Sequence, residues 1–397
     1  MKKICVVTGS RADYGLLKGV MENLLKSQVC DLQIIATGMH LTSEFGSTWQ
    51  CIESDGFRID KKVDMLLGSD TSVAVSKSVG IGISGFADAF AMLKPDLILV
   101  LGDRFEIFSA ATSAMMAGIP IAHAHGGELT HGSVDDSIRH AITKMAHLHF
   151  TAAEPYRQRV IQLGEDPTSV WNVGGFGVDA ALSASLLSKN SLESLLGISI
   201  SEQTLLITFH PETGLSCGSA DSQMVELLAA LEQVDAQLIF TMPNADVGGR
   251  VIFKLINEFV AANRDRACAH VSLGQTAYLS ALALSAGVVG NSSSGLIEAP
   301  AYGVGTINIG NRQSGRLKAS SVIDCAPERD EIKRAIATLL SPGTQQRNRS
   351  GVNNPYGAGG AARRTVTIIE EWQPKKLANK TFFDLEKVSS DLGRVCA

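Results

Sequence analysis

The feature that most constrains this fold is a repeated order of short apolar runs, small polar turns and helical stretches along the chain. Such a repeat is typical of parallel sheets covered by helices on both faces. The apolar runs predict two series of strands. The first comprises 4–8, 32–36, 97–101, 120–122 and 149–152, and the second comprises 205–209, 237–241, 287–289 and 306–309. We therefore predict an α/β protein with two doubly wound, Rossmann-like domains that face each other across a cleft.

The strand pattern is lost between residues 172 and 194, which we interpret as a linker. With 397 residues, the chain is longer than a single hydrophobic core usually supports. We predict a first domain over residues 1–180, a second over 181–365, and a C-terminal helix and tail over 366–397. The closing residues are polar, and we expect them to be loosely held.

Composition excludes several classes of function. The formal net charge is -5 and no run of Lys and Arg is present, so nucleic acid is not an expected partner. No stretch reads as long and apolar enough to span a bilayer, and the first residues read as a strand and not as a signal peptide. The 7 cysteines form no CxxC pair, which predicts a reduced, cytoplasmic protein without a zinc site. A small anionic ligand remains compatible with this charge.

Polar side chains at strand ends are the first functional candidates, because ligands of doubly wound sheets lie beyond the carboxyl ends of the strands. Arg11 follows the first predicted strand, and His210 follows the first strand of the second series, so both are expected to face the cleft. Asp103 and Arg104 follow the apolar run 97–101. Asp103 is a candidate general base, and an ion pair between the two neighbours is the structural alternative.

A second candidate is the segment IAHAHGGELTHGSVDDSIRHAITK, which is unusually rich in titratable groups. It contains His123, His125, Glu128, His131, Asp135, Asp136, Arg139 and His140. So dense a cluster favours acid–base chemistry over packing alone. Asp135 and Asp136 begin a predicted helix, and one of them is expected to cap it. His123 and His125 are two residues apart on a predicted strand, so their side chains would point to the same face. Such a pair could bind a metal, which is the alternative interpretation, but we predict no metal site.

A third candidate is the stretch VVGNSSSGLIEAPAYG with the following INIGNRQSGR. A strand, a small polar turn and a helix form a typical anion site, in which backbone N–H groups and the hydroxyls of Ser292 and Ser293 face a phosphate. Glu298 lies about one turn into the predicted helix, where it is suited to accept two ribose hydroxyls. An ordinary capped helix is the structural alternative.

Taken in order, GSRADYG, TGMH, LGDRFE, HGGE, IRHAITKM, HPET, GNSSSGLIE and INIGNRQSGR resemble the UDP-N-acetylglucosamine 2-epimerase family, and its hydrolysing branch in particular. The resemblance implies the glycosyltransferase-B architecture and no cofactor. It implies elimination of the C2 proton and UDP to give 2-acetamidoglucal, followed by addition of water to give N-acetylmannosamine. The implied catalytic residues are Asp103, Glu128, Asp135, His210 and His125. The implied contacts with UDP and sugar are Arg11, His123, Arg139, Asn244, Ser292, Ser293, Gly295, Glu298 and Arg312.

Two departures bear on the branch. Leu16 stands where the non-hydrolysing branch has a lysine, which favours hydrolysis, and Lys18 is the nearest lysine. His125 stands where animal hydrolysing enzymes have a glutamate, so the role of that glutamate falls to His125 or Glu128. The open alternatives are the same reaction on UDP-2,4-diacetamido-2,4,6-trideoxyglucose for legionaminic acid, a glycosyltransferase, and a silent nucleotide-sugar-binding module. We expect a homo-oligomer that binds UDP-N-acetylglucosamine.

Overall fold

The computed structural model describes residues 1–69, 71–130, 134–211, 220–243, 249–271, 273–373 and 380–385. The first half of the chain contains β1 (Lys2–Thr8), α1 (Arg11–Lys26), β2 (Cys30–Thr37), α2 (Trp49–Ser54), β3 (Lys61–Val63), α3 (Ser72–Leu93), β4 (Leu97–Leu101), α4 (Phe105–Met116), β5 (Ile121–Ala124), α5 (Val134–Met145), β6 (Leu148–Thr151), α6 (Glu154–Gln162) and β7 (Val170–Asn172).

The second half begins with two helices and continues into a second set of strands. It contains α7 (Phe176–Ser183), α8 (Lys189–Leu196), β8 (Leu205–Thr208), α9 (Ala220–Leu231), β9 (Leu238–Thr241), α10 (Gly249–Ala262), β10 (Ala267–His270), α11 (Gly274–Leu284), β11 (Gly287–Gly290), α12 (Ser294–Ile297), β12 (Gly305–Ile309), β13 (Val322–Cys325), α13 (Arg329–Leu340), α14 (Pro342–Arg349) and α15 (Ala361–Glu371).

The strands form two sheets with the same order around an equivalent first strand. The orders are β3-β2-β1-β4-β5-β6-β7 and β10-β9-β8-β11-β12-β13, and neighbouring strands run parallel. The strand order reverses between β1 and β4 and between β8 and β11, which opens a crevice at the carboxyl ends of the strands. The predicted pair of doubly wound, Rossmann-like domains is confirmed.

The first sheet is buried on both faces because its central strands are apolar throughout. Leu97 and Leu99 pack on one face together with α1 and α15, whereas Ile98 and Val100 pack on the other face together with α3 and α4. Side chains of a strand alternate between faces, so a continuous apolar run of this kind fits only a strand covered on both sides. The covered centre holds the ends of β1 and β4 in fixed positions.

The linker region and the C-terminal helix differ from the prediction. Residues 172–194 contain the helices α7 and α8. The last helix begins at Ala361 and not near 366, because the carboxylate of Asp179 accepts the backbone N–H groups of Ala361 at 3.0 Å and Ala362 at 2.6 Å. Helix α15 packs into the core of the first domain through Val366 and Ile369. The chain therefore crosses back from the second domain before it ends.

Helix α3 contradicts the prediction that no stretch is long and apolar enough to span a bilayer. It has 22 residues, and an 18-residue window of it has a mean hydropathy of 1.2. By length and composition only, it is therefore long and apolar enough to cross a membrane. Its buried side chains, among them Phe86 and Phe90, pack on the first sheet. Other large apolar side chains on it, such as Ile81 and Met92, are exposed.

Candidate active site

Asp103 lies just beyond the carboxyl end of β4 and is bound by Arg139 of α5. Oδ2 of Asp103 forms an ion pair with Nη2 of Arg139. Nη1 of the buried Arg139 donates to the carbonyl oxygen of Glu128 at 2.8 Å, and Nη2 donates to Oγ1 of Thr130 at 3.0 Å. Burial lowers the pKa of Arg139 to about 10, so the side chain stays charged at neutral pH. Arg139 therefore joins Asp103 to the turn that carries Glu128, which argues against the predicted direct contact between Arg139 and a substrate.

Arg104 does not pair with its neighbour Asp103, which was the structural alternative at this strand end. Its Nη2 lies 3.0 Å from Oε1 of Glu106, whose side chain is fully buried. Asp13, in the first turn of α1, belongs to the same cluster. Burial raises the pKa of Asp13 to about 6, and the charge of Arg104 opposes that rise. The ends of β1 and β4 thus carry two separate ion-pair clusters, and sequence reasoning missed the second.

His125 leaves β5 in a left-handed backbone conformation, with a φ of 63°. Positive φ is uncommon outside glycine and frequently marks a functional site. Nε2 of the ring accepts the backbone N–H of Phe176 at 3.3 Å, which leaves Nδ1 as the nitrogen that carries a proton. Nδ1 lies 3.0 Å from Oε1 of Glu128. Both ring nitrogens therefore contact groups of the protein, and the imidazole lies directly beside the Glu128 carboxylate, whose Oε1 has no hydrogen-bond partner among the described residues.

Glu128 is a buried carboxylate with only 4% of its surface exposed. Burial opposes its ionisation, but His125 and Arg316 outweigh that effect and place the pKa of Glu128 below its ordinary value. Oε2 lies 3.9 Å from Nη2 of Arg316, which belongs to the second domain. Glu128 is thus ionised at neutral pH and suited to accept a proton.

His123 lies inside the first domain. It is fully buried, with Nδ1 3.2 Å from Oγ1 of Thr143 and Nε2 2.8 Å from the carbonyl oxygen of Gly102. This placement argues against the predicted contact with a substrate. The backbone turn at His125 also breaks the strand alternation, so the two imidazoles do not form the shared face that a metal would need. Among the described residues, no group of three His, Cys, Asp or Glu side chains is arranged to hold a metal ion.

The first turn of α5 carries two acids with different surroundings. Oδ1 of Asp136 accepts the backbone N–H of Thr130 at 2.8 Å, and its Oδ2 lies 3.6 Å from Nε2 of His140. Asp136 therefore has a structural role. Asp135 is partly exposed, and its charge helps to raise the pKa of Arg104 against the opposing effect of burial. Asp135 therefore interacts electrostatically with Arg104, which lies beyond the end of β4.

In the second domain, the crevice is built around Asn291, a residue that sequence reasoning missed. Its Oδ1 accepts the backbone N–H of His210 at 2.7 Å, and its Nδ2 donates to the carbonyl oxygen of His210 at 2.8 Å. The carbonyl oxygen of Asn291 accepts Nη1 of Arg312 at 3.1 Å and Nε2 of Gln313 at 2.8 Å. One buried residue, through its side-chain amide and its backbone carbonyl group, thus ties together the segments that follow β8, β11 and β12.

His210, the counterpart of Arg11, is nearly buried at the end of β8. Burial, together with the nearby charge of Arg312, lowers its pKa to about 3. The imidazole is therefore neutral at physiological pH and offers an N–H hydrogen bond without charge. Arg312 supplies positive charge at the same place, as an anionic ligand would require.

The turn after β11 carries the partly exposed Ser292 and Ser293. The helix that follows has only four residues, so it is shorter than predicted and sums few peptide dipoles. Backbone N–H groups and the two hydroxyls are the remaining donors of an anion site here. Gly295 is buried against β12, where an added Cβ would lie 2.5 Å from Cγ2 of Thr306. Close packing thus accounts for this glycine and argues against the predicted ligand contact.

Glu298 ends α12 with a carboxylate oxygen that the protein leaves unsatisfied. Its Oε2 is buried and has no hydrogen-bond partner within the described part of the chain. Burial raises the pKa of Glu298. Because a buried acceptor without a partner costs roughly 1–3 kcal/mol, a ligand hydroxyl at this place would stabilise the site. The geometry suits the predicted ribose contact.

Arg11 begins α1 and reaches the second domain. A Cβ added at Gly274 would lie 3.0 Å from its Nη2, and nearby Nε2 of Gln275 donates to the carbonyl oxygen of Gly15 at 3.3 Å. The exposed guanidinium thus spans the cleft between the domains. Asn244, another predicted substrate contact, lies outside the described residues.

The predicted residues therefore form two groups on facing edges. Asp103, Glu128 and His125 are joined through Arg139 in the first domain, and His210 and Arg312 are joined through Asn291 in the second. Arg316 connects the groups, and its place in RQSGR, beside a predicted ligand, was the signal that could have identified it. Nothing in the sequence marks the interdomain pair Tyr156 and Tyr356, whose hydroxyls lie 3.2 Å apart.

Comparisons with known proteins agree with this arrangement. The family model described as UDP-N-acetylglucosamine 2-epimerase matches residues 22–370. The chain is 38% identical over 385 residues to the GDP/UDP-N,N'-diacetylbacillosamine 2-epimerase (hydrolyzing) of Campylobacter jejuni subsp. jejuni, covering 97% of this chain and 99% of the relative. It is 39% identical over 393 residues to the polysialic acid biosynthesis protein P7 of Escherichia coli, covering 98% and 99%.

A solved structure shows the same fold. The UDP-GlcNAc 2-epimerase from Neisseria meningitidis bound to UDP-GlcNAc superimposes with a TM-score of 0.80 at 16% identity, covering 93% of this chain and 100% of that one. The two-domain architecture expected from the motifs is thereby confirmed. The extent of the family match and the identity to both relatives settle the classification: this chain is an enzyme of the UDP-N-acetylglucosamine 2-epimerase family.

Proposed function

We propose that the chain is a hydrolysing 2-epimerase that converts UDP-N-acetylglucosamine and water to N-acetylmannosamine and UDP in sialic acid biosynthesis. The observation that carries this proposal is the buried carboxylate of Glu128, which lies 3.0 Å from His125 and 3.9 Å from Arg316 across the cleft. Inversion at C2 requires a C–H bond to break, and a shielded, charged carboxylate is a group that can take that proton.

In the proposed first step, Glu128 or Asp103 removes the C2 proton. The electrons form the C1–C2 double bond, and the C1–O bond breaks with its pair on UDP. His210 donates a hydrogen bond to the leaving diphosphate, and Arg11 and Arg312 balance its charge. Ser292 and Ser293 hold the diphosphate, and Glu298 accepts the ribose hydroxyls. In the second step, water adds its hydroxyl to C1 of 2-acetamidoglucal and gives up its other proton to a carboxylate of the site. A carboxylic acid, with Asp135 as a candidate, returns a proton to the opposite face of C2.

Two side chains support the hydrolysing branch. Leu16 packs against the core of the first domain. Lys18 forms an ion pair with Asp55 at 3.0 Å, and Asp55 also accepts the hydroxyl of Tyr14 at 2.6 Å. Lys18 is therefore held on the outer side of α1 and does not replace the lysine of the non-hydrolysing branch.

A second substrate, UDP-2,4-diacetamido-2,4,6-trideoxyglucose on the way to legionaminic acid, is favoured by one observation. The Campylobacter relative, which matches along nearly its whole length, is named for a diacetylated sugar of that kind. The two substrates share the bonds that react and differ only at C4 and C6.

Incubation of the protein with each nucleotide sugar in heavy water distinguishes these readings. We expect free UDP and a released sugar of inverted C2 configuration that carries deuterium at C2, detected by NMR, and the larger kcat/KM identifies the substrate. A product with only protium at C2 would contradict the elimination. Turnover that requires a sugar acceptor would favour a glycosyltransferase, and UDP binding without turnover would favour a silent binding module.

We further propose that the chain forms a homo-oligomer through α3. The exposed face of α3 carries the small residues Gly80, Ser84, Ala87 and Ala91 beside the large apolar Val73, Ile81 and Met92. Lys77 and Asp88 are exposed on the same helix, so an antiparallel copy would bring unlike charges together. Sedimentation equilibrium tests this proposal, and the mass of a single chain would contradict it. A cytoplasmic location stays a prediction from the cysteine pattern.

A further inference from the structure

Arg316 is a charged side chain that has no role in the two proposed reaction steps. It lies in the loop between β12 and β13 of the second domain, and its Nη2 approaches Oε2 of Glu128 in the first domain to 3.9 Å. Only 18% of its side chain is exposed. A charge held this far from water acts more strongly on its neighbour than a surface charge does.

The loop of Arg316 is fixed to the anion site of the second domain. Arg312 and Gln313, in the same loop, both donate to the carbonyl oxygen of Asn291. The side chain of Asn291 in turn binds the backbone of His210 on both sides. The position of Arg316 is therefore tied to the turn at which a diphosphate is expected.

The same loop is held at the domain boundary by two tyrosines, of which Tyr156 belongs to α6 of the first domain. The backbone N–H of Leu317 donates to the hydroxyl of Tyr156 at 3.2 Å, and the hydroxyl of Tyr356 donates to the carbonyl oxygen of Leu317 at 3.2 Å. These contacts hold the residue next to Arg316 at the domain boundary, so the guanidinium is directed toward Glu128.

The other groups around Glu128 do not supply the positive charge that Arg316 places beside its carboxylate. Arg139 and Arg159 donate to backbone carbonyl oxygens, of Glu128 and Gly127 respectively. Burial, reinforced by the charge of Glu128, raises the pKa values of the nearby hydroxyls of Tyr156 and Tyr356, so neither carries charge at neutral pH. The buried His123 and the neighbouring His125 complete the surroundings. Among the described residues, Arg316 is the one guanidinium within 4.0 Å of the Glu128 carboxylate.

We propose that Arg316 is a positioning residue through which the second domain keeps Glu128 charged and aimed at the substrate, so that the base is competent only where the two domains meet. This inference rests on the proposed epimerase function. It differs from a simple interdomain tie because it assigns Arg316 an effect on protonation and not only on stability.

The test compares Arg316→Gln and Arg316→Lys with the surface control Arg264→Gln on the second domain. Removal of the positive charge raises the pKa of Glu128, so the acidic limb of the kcat–pH profile should move upward by about one pH unit in Arg316→Gln. Arg316→Lys should largely restore the limb, and the control should leave it in place. Thermal unfolding and UDP affinity, each measured for all variants, identify a variant that is merely unfolded.

A second measurement does not depend on turnover. In protein labelled with ¹³C at glutamate carboxyl groups, the Glu128 signal is identified by its loss in Glu128→Gln and is then titrated. We expect its midpoint to lie about one pH unit higher in Arg316→Gln than in the parent protein. Unchanged midpoints in folded protein would overturn the proposed role of Arg316, whereas a shifted midpoint in a protein that turns over neither nucleotide sugar would overturn the proposed function alone.

Discussion

The carboxyl edges of the two sheets share one strand order but differ in electrostatic character. In the first domain, the edge holds buried or partly buried carboxylates that are matched by guanidinium groups, as the partly buried Asp103 is by Arg139. In the second domain, the edge is lined by the amide of Asn291, the serine hydroxyls and a neutral His210. One scaffold thus presents compensated charge on one side of the cleft and mostly neutral hydrogen-bonding groups on the other.

The difference shows how chemistry and binding divide between repeated domains. Acid–base work needs charges that survive burial, so each must be paired within its own domain or across the cleft. Binding of a diphosphate needs donors already directed at one place, with few charges to desolvate. Glu298 adds an acceptor that the protein leaves without a partner, as expected where a ligand completes the site.

The largest expected effect, on kcat, comes from removing a carboxylate charge at the carboxyl edge of the first domain's sheet. Asp103→Asn and Glu128→Gln should each lower kcat by roughly 100-fold to 10,000-fold, the usual contribution of a general acid or base. UDP affinity should stay nearly unchanged, because neither carboxylate is among the proposed diphosphate and ribose contacts, which lie in the second domain except for Arg11. Steady-state kinetics and calorimetry with UDP measure both quantities.

Asp31→Asn is the matched control for these variants, since Asp31 is exposed at the amino end of β2, on the opposite edge of the same sheet. It should leave kcat unchanged. A loss of UDP affinity in Glu128→Gln as large as its loss of kcat would show that the proposed division between the two edges is wrong.

A smaller effect, on UDP affinity, is expected from a substitution at the carboxyl edge of the second domain's sheet. Glu298→Ala should weaken UDP binding by about tenfold or more, because a hydrogen bond to a charged group is worth roughly 1.5–3 kcal/mol. Calorimetry with UDP measures this change, and the exposed Glu232→Ala of the same domain serves as the control. If Glu298→Ala binds UDP as tightly as the parent chain, the ribose must be held elsewhere.

Sequence reasoning found the strands that are buried on both faces and missed those that are only partly buried. Those inside each sheet were predicted because continuous apolar runs such as Leu97–Leu101 are buried on both faces. The four missed strands, β3, β7, β10 and β13, are the edge strands of the two sheets. They are short and only partly buried, so they carry no continuous apolar run. Their place in the fold comes from pairing with a neighbour, which a local pattern does not contain.

The site was predictable to the same degree. The rule that ligands lie at strand ends identified Asp103 and His210 as candidates, because a strand end can be read from local sequence. Glu128 was a candidate because its segment is dense in titratable groups. The partner of each charge could not be read in this way. Asp103 pairs with Arg139, which is distant in the chain, and not with the adjacent Arg104. Such choices depend on how helices pack against the sheet.

One contact of the first domain comes from the chain's end, which was expected to be loosely held. Lys380 donates to the carbonyl oxygens of Lys144 at 2.7 Å and Ala146 at 2.5 Å, at the end of α5, and forms an ion pair with the buried Glu165 at 2.6 Å. His149 and Lys144 also contact Glu165, at 2.9 Å and 2.7 Å. Burial opposes ionisation of Glu165, but these three partners outweigh it and lower its pKa to about 2.

The smallest expected effect comes from Lys380→Met, which should reduce the stability of the first domain by about 1 kcal/mol, through loss of hydrogen bonds at the end of α5. Because the pKa of Glu165 is lowered from 4.5 to about 2 in the folded chain, its ion pairs stabilise the fold above pH 4.5 and are lost as the pH falls toward 2. The difference between variant and parent should shrink over that same interval. Hydrogen exchange should report the lower stability at the backbone amides of α5 and should leave the amides of β8 and β11 unaffected.

Lys254→Met, which removes an exposed ion pair with Glu258 on α10, is the control and should change the stability of neither domain measurably. Equal loss of protection in both domains would show that the tail stabilises the whole chain, and the two edges would then not be independently supported.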